Sequence, residues 1–222
     1  TQKNNNNHIG VPFTLFQINN ETKYAVVELG SNHPGEIETL CKMLNPQTGV
    51  TTNIGDTHLE FFGTREKVFQ EEAILRFYCK DHFYCNYDDE QLKNINDVHN
   101  LVYYGENSKI NPFVFGSHEI SVGDTKIQNK NIIGKHNFIN LGVAFLIAKN
   151  FNFDLSKTAQ AASEFVPTQN RSEWKKWQNA EVFLDAYNAN PSSMRAAIEG
   201  FYDHLGSIGA DLEKSCLLLG DM

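Results

Sequence analysis

Two rhythms of apolar and polar positions alternate along the chain. Residues 24–29 (YAVVEL) make a short apolar run closed by Gly30, the pattern of a strand buried in a parallel sheet. From Pro34 the period lengthens. Ile37, Leu40, Cys41 and Leu44 fall on one face and predict a helix, with Pro34 suited to its first position. Residues 49–54 predict a second strand and 64–78 a helix in which Val68, Ile74, Leu75 and Tyr78 are partly in phase. Residues 82–87 predict a third strand.

Around residues 101–133 the texture changes to short runs such as Phe113-Val114-Phe115 and Ile120-Ser121-Val122, broken by Gly116 and Gly123-Asp124. These predict a small antiparallel β insert. Helix returns at 137–149, with Phe138, Leu141, Phe145 and Ala148 on one side, and again after Asp154, a natural N-cap, through Phe165. Residues 181–186 read as a strand. Pro191 opens a helix marked by Met194, Ala197, Ile198, Phe201 and Leu205, and residues 215–219 read as a last strand. The order predicts an α/β fold, an open, mainly parallel sheet flanked by helices, as one domain across residues 1–222.

Composition narrows the partners. The net charge is -8, and only 19 Lys and Arg are spread over 222 residues, too few and too scattered for a groove that tracks nucleic acid. No apolar run approaches the roughly 20 residues of a membrane span, and residues 1–8 are polar and rich in asparagine, unlike a signal peptide. The four cysteines form no C-x-x-C pair, which favours reduced thiols in a cytoplasmic protein over a zinc site.

In open α/β sheets, ligands bind beyond the carboxyl ends of the strands. Three polar clusters follow predicted strands: Glu28 with Gly30 and Ser31, residues 53–58 (NIGDTH), and residues 185–190 (DAYNAN). Carboxylates and an imidazole gathered there suit a divalent cation bridging phosphate oxygens. A half-buried, hydrogen-bonded His58 and a Glu28 that serves a helix N-terminus are the plainer readings. The chain has no G-x-x-x-x-G-K-[ST] loop; Gly134-Lys135-His136 lacks the upstream glycine and the hydroxyl residue.

These clusters, with further segments, come in a recognisable order: residues 6–12 (NNHIGVP), 25–30 (AVVELG), 52–55 (TNIG), 58–60 (HLE), 134–137 (GKHN), 185–191 (DAYNANP) and 219–222 (LGDM). The ordered set resembles the central ATPase domain of the Mur ligases, and the first and sixth segments are most similar to the branch that adds D-alanyl-D-alanine. The resemblance implies a P-loop-type fold, here without its P-loop, and an ATP-dependent amide synthesis in which a substrate carboxylate is phosphorylated to an acyl phosphate and then captured by an amine. The implied substrates are a UDP-N-acetylmuramoyl-peptide and D-alanyl-D-alanine, with ATP and Mg2+. Residue by residue, Glu28 would hold one magnesium ion and His58 the second. Asn137 would lie beside the adenine, with His136 next to it, and Asp185 would take the ribose hydroxyls. Arg171 would reach the γ-phosphate, and Asn6 and Asn7 would line the path to the muramoyl-peptide.

The match has departures. The segments that would carry the phosphate loop, the uridine-gripping domain and the D-alanyl-D-alanine-facing domain are not in this sequence, so it resembles a truncated central domain, inactive by itself. Asn170 stands where a glycine usually precedes the arginine. Glu72, fourteen positions after His58, stands where most Mur ligases carry a lysine that is carbamylated to become an anion. A carboxylate would supply that negative oxygen directly, as a metal ligand; the competing reading makes Glu71 and Glu72 a solvated helix face. A non-catalytic binding module on the same fold, and a different ligase of the folylpolyglutamate or Mur kind, stay open as alternatives.

Overall fold

The structure is a computed structural model that describes Thr1 and residues 4–220. The last two residues of the 219–222 segment therefore lie outside the described residues. The chain divides into two compact units, Thr1–Tyr103 and Tyr104–Met222.

The first unit holds α1 (Gly10–Leu15), α2 (Glu36–Leu44), β1 (Thr48–Thr51), α3 (Leu59–Phe62), α4 (Arg65–Glu72), β2 (His82–Asn86) and β3 (Leu101–Tyr104), which runs to the unit boundary. β1 pairs parallel with β2, Thr48 opposite His82 through Thr51 opposite Cys85, and β3 flanks β2 on its other side. The apolar stripe read for α2 is the buried one: Ile37, Leu40 and Cys41 pack on Val11 of α1, with Val27, Leu29, Ile74 and Leu75 around them. Ile54, Phe62, Val68, Ala73, Phe83, Cys85, Leu92 and Ile95 build a second cluster along the sheet. Each large side chain removed from water in this way stabilises the fold by about 1.5–3 kcal/mol.

Three expectations change in this unit. Residues 24–29 join no strand ladder among the described residues. Their backbone is held by irregular neighbours instead: the Thr1 amino group donates to the Val26 carbonyl (2.9 Å), Glu28 N–H to Thr1 Oγ1 (2.7 Å) and Gly30 N–H to the Asn6 carbonyl (2.9 Å). Val26 is 86% exposed, so the run is covered on one face only. The helix expected over 64–78 ends at Glu72 and tightens into a 3-10 turn, Ala73–Phe77. Residues 101–104 join the sheet that contains the parallel pair, which confines the antiparallel insert to residues 113–128.

The second unit opens with that insert, β4 (Phe113–Gly116), β5 (Glu119–Val122) and β6 (Thr125–Gln128), an antiparallel meander. Helices α5 (Lys135–Asn150) and α6 (Leu155–Glu164) pack on it. Gly142 allows the approach of α5: a Cβ there would stand 2.7 Å from Ile120 Cδ1 and from a Phe113 ring carbon. Asp154 caps α6 as expected, accepting from the N–H groups of Ser156 and Lys157. The strand read at 181–186 is β8 (Ala180–Leu184), but it lies antiparallel to β7 (Glu173–Trp177) in a hairpin rather than in a parallel sheet. The charged run EWKKW hid β7, since only its first two residues are half-buried. α7 (Pro191–Ser207) starts from Asn190, which forms a reciprocal capping box with Ser193, and packs Phe201 against Trp174 and Phe183 at 5.9 Å between ring centroids. Residues 215–219 form no strand; Leu218 is 94% exposed, with no neighbouring strand among the described residues to pair with.

Candidate functional site

In the first unit the candidate residues sit on loops leaving strands and extended chain. Glu28 is exposed and accepts a hydrogen bond from Asn6 Nδ2 at 3.1 Å. Asn7 turns the other way: its Oδ1 accepts from Ile9 and Gly10 N–H at 3.1 and 3.0 Å and so starts α1. The asparagine run is thus built into the fold, and only Asn6 is tied to a candidate ligand. Gly30 makes this contact possible, because a Cβ there would come within 2.7 Å of Asn6 Nδ2. His58 is exposed and holds a left-handed backbone (φ 52°) at the start of α3, an uncommon conformation for a side-chain-bearing residue.

The two glutamates at the end of α4 divide. Glu71 is buried and spans the N-terminus of α2, accepting from Gly35 N–H at 2.7 Å and Ile37 N–H at 2.8 Å. A solvated helix face is therefore wrong for Glu71. Glu72 is half-buried, and its carboxyl is pushed up to about 7 by desolvation first, then by the negative charges of Glu71 and Asp89. Asp89 in turn accepts from Ile54 N–H at 2.9 Å, at the root of the loop that carries His58. No three His, Cys, Asp or Glu side chains among the described residues lie close enough to hold a metal ion. Mg2+ at phosphate sites takes one or two carboxylates plus waters and substrate oxygens, so it needs no such cluster, and the exposed Glu28 is a carboxylate of the kind it uses.

In the second unit, distant segments come together. The 170–172 turn clasps the end of β8: Asn170 carbonyl accepts from Ala186 and Tyr187 N–H at 3.0 and 3.1 Å, and Asp185 Oδ1 accepts from Ser172 N–H at 3.2 Å. Asn170 and Ser172 both have positive φ, 62° and 47°, which the tight clasp demands. Exposed Arg171 lies over the Tyr187 ring at 4.0 Å. His136 belongs to the same neighbourhood. Burial holds its imidazole below the usual range, while Asp185 and Glu199 pull it back up. Gly134 turns the chain with φ 83°, and Gly200 of α7 packs on it, where a Cβ would lie 3.1 Å from Gly134 Cα. Asn137 spends one amide N–H on the Ile133 carbonyl at 2.8 Å and keeps its oxygen. Lys135 pairs with Glu106 rather than standing free like a phosphate-loop lysine. Asp185 and Arg171 are thus brought to one turn, and the Asp185 charge is felt at His136, next to Asn137.

Sequence reasoning missed Arg65, Glu71 and Asp89. Asp89 was reachable by the rule already used, since residues 86–89 (NYDD) follow strand β2 just as 53–58 follow β1. The thiols of Cys41, Cys79 and Cys85 are each pushed up to about 12 by burial, so they carry no nucleophile or metal-binding thiolate at neutral pH, while Cys216 is exposed.

Comparison with known proteins agrees with this architecture. The Mur ligase middle domain family matches residues 1–148. The UDP-N-acetylmuramoyl-tripeptide–D-alanyl-D-alanine ligase of Bacillus subtilis is 31% identical over 234 aligned positions that take in 100% of this chain and 50% of that protein. The crystal structure of MurF from Acinetobacter baumannii superposes with a TM-score of 0.81 at 25% identity, covering 91% of this chain and 47% of that one. The fold also matches MurF from Thermotoga maritima, solved in complex with ADP, with a TM-score of 0.70 at 19% identity over 87% of this chain and 48% of that one. The chain spans about half the length of the curated relatives it matches. No helix among the described residues is long and apolar enough to cross a membrane. With its family match covering residues 1–148 and its α/β fold shared with MurF structures, this chain belongs to the Mur ligase middle domain family.

Proposed function

We propose that this chain is the central part of a cytoplasmic ATP-dependent ligase that joins D-alanyl-D-alanine to a UDP-N-acetylmuramoyl-tripeptide through an acyl phosphate. The observation that carries this reading is the clasp of the 170–172 turn, which sets the Asp185 carboxylate beside the exposed Arg171 at the end of β8. The likeness along the whole chain to a ligase of that name supports it.

In this reading Asp185 accepts from the ribose hydroxyls, as an ionised carboxylate can, while Ser172 N–H holds its other oxygen. His136, kept neutral by burial, and Asn137, with its free amide oxygen, face the base. Arg171 carries a planar guanidinium suited to phosphate oxygens, and its stacking on Tyr187 limits its rotation. Glu28 and His58 would hold Mg2+, with Glu72 supplying the further negative oxygen that a carbamylated lysine gives elsewhere. Bound there, Mg2+ would neutralise charge developing on the transferred phosphoryl group. Asn6 orients Glu28 and, with Asn7, borders the muramoyl-peptide path.

The 222 residues contain no phosphate loop, and such loops supply most polyphosphate contacts. Losing two or three charge-assisted hydrogen bonds, each about 1.5–3 kcal/mol, weakens binding by roughly three orders of magnitude. Isothermal calorimetry on the 222-residue chain is therefore expected to give only weak Mg-ATP binding, abolished by Asp185→Ala. Low-micromolar Mg-ATP binding, or binding indifferent to Asp185→Ala, would refute the assignment.

A further inference from the structure

The loop from Thr52 to His58 is fastened by three side chains from other elements. Asn86 Nδ2, at the end of β2, donates to the Thr52 carbonyl at 3.0 Å. Asp89 Oδ2 accepts from Ile54 N–H at 2.9 Å, and Arg65 donates to the Ile54 carbonyl through both Nε (3.1 Å) and a terminal nitrogen (2.7 Å). The same Arg65 nitrogen stands 3.9 Å from Asp89 Oδ2, so one ion pair closes around the backbone of a single residue. Asp89 is itself immobilised: its other oxygen accepts from Gln91 and Leu92 N–H at 2.9 and 3.0 Å. Ile54 adds a side chain that is 1% exposed and locked in the core.

Four residues beyond Ile54 the loop ends at His58 in its left-handed conformation. A residue stays in a sparsely populated backbone region only when its surroundings over-determine it. α3 is a single turn with little rigidity of its own, so the clamped Ile54 backbone is a fixed point for the loop that leads to His58. Helix α4 carries Arg65 at its first turn and Glu72 at its last, so the clamp also sets the loop against the helix that bears Glu72.

We infer that Arg65 and Asp89 are positioning residues that hold the two peptide groups flanking Ile54 and so help fix where His58 presents its imidazole. This rests on the reading of His58 as a metal-side residue. Arg65 is 41% exposed on its side chain, so it can be changed without opening the core.

The test measures backbone amide exchange by NMR in the 222-residue chain. Arg65→Gln is expected to accelerate exchange at Ile54, Gly55 and His58 by about tenfold, the loss of one charged hydrogen-bonding partner, while β2 amides stay within about twofold. Arg65→Lys, which retains one charged donor, should give a smaller rise at the same amides. Asp89→Asn, which keeps an acceptor oxygen for Gln91 and Leu92, should repeat the local pattern. Uniform acceleration across the first unit would make the pair an ordinary stabilising contact and overturn the inference, as would no change at residues 54–58. In the full-length protein, Arg65→Gln should raise the Mg2+ concentration for half-maximal ligation about tenfold and leave the KM for the muramoyl-peptide unchanged. A wild-type protein with no ligation, but with the local exchange effect intact, would remove the proposed function and leave the clamp standing.

Discussion

Glu72→Gln should make the isolated chain more stable at alkaline pH, although it removes a residue assigned to function. The Glu72 carboxyl sits among Glu71, Asp89 and apolar packing, and its folded-state value rises from 4.5 to about 7. A carboxyl raised on folding contributes its stability below the unfolded value of 4.5, and loses it as pH rises through about 7. At about 1.4 kcal/mol per pH unit, the shift corresponds to about 3 kcal/mol; the half-buried position reduces the expected effect to about 2 kcal/mol. Wild type should therefore lose about 2 kcal/mol between pH 4.5 and pH 8, relative to Glu72→Gln, whose amide does not titrate. The assay is urea unfolding across that range, followed by far-UV circular dichroism and by the exchange of β1 and β2 amides. Both tryptophans, Trp174 and Trp177, lie in the second unit, so their fluorescence does not report the first. Millimolar Mg2+ with ATP should recover part of the wild-type deficit, because a cation offsets the repulsion, and should do nothing for Glu72→Gln. Parallel pH profiles for the two proteins, or a Glu72→Gln variant less stable at pH 8, would refute the reasoning.

Glu71→Ala should cost about 1–3 kcal/mol in the same denaturation assay, because the buried Ile37 N–H at the start of α2 loses its acceptor along with the more exposed Gly35 N–H, and a cost under about 0.5 kcal/mol would show that water replaces it. His136 should titrate below the usual histidine range in an NMR pH series, and Asp185→Asn should lower it further by removing the charge that now raises it; an upward move would mean that Asp185 does not face the ring.

Elements whose signal is local were legible in the chain. The stripe of α2, the Asp154 cap of α6 and the Asn190-Pro191 start of α7 each need only a period or a cap, and all three form, although α2 begins at Glu36, after Gly35 in a left-handed conformation, rather than at Pro34. The α/β class followed from their order, and the ordered motifs carried the family. Strand pairing was not legible, because it depends on what lies alongside. The apolar residues of 24–29 and 215–219 make no ladder, and the charged EWKKW makes one, because a β-strand exists only where a second backbone presents matching donors and acceptors. The candidate site divides in the same way. Residue types and order nominated Glu28, His58, Glu72, His136, Asn137, Arg171 and Asp185. Only the folded chain could set Ser172 N–H on Asp185, lay Arg171 over Tyr187, or close Arg65 and Asp89 around the backbone of one residue of the His58 loop. Those contacts join residues distant in sequence, through backbone atoms that every residue has alike, so no pattern of side chains announces them.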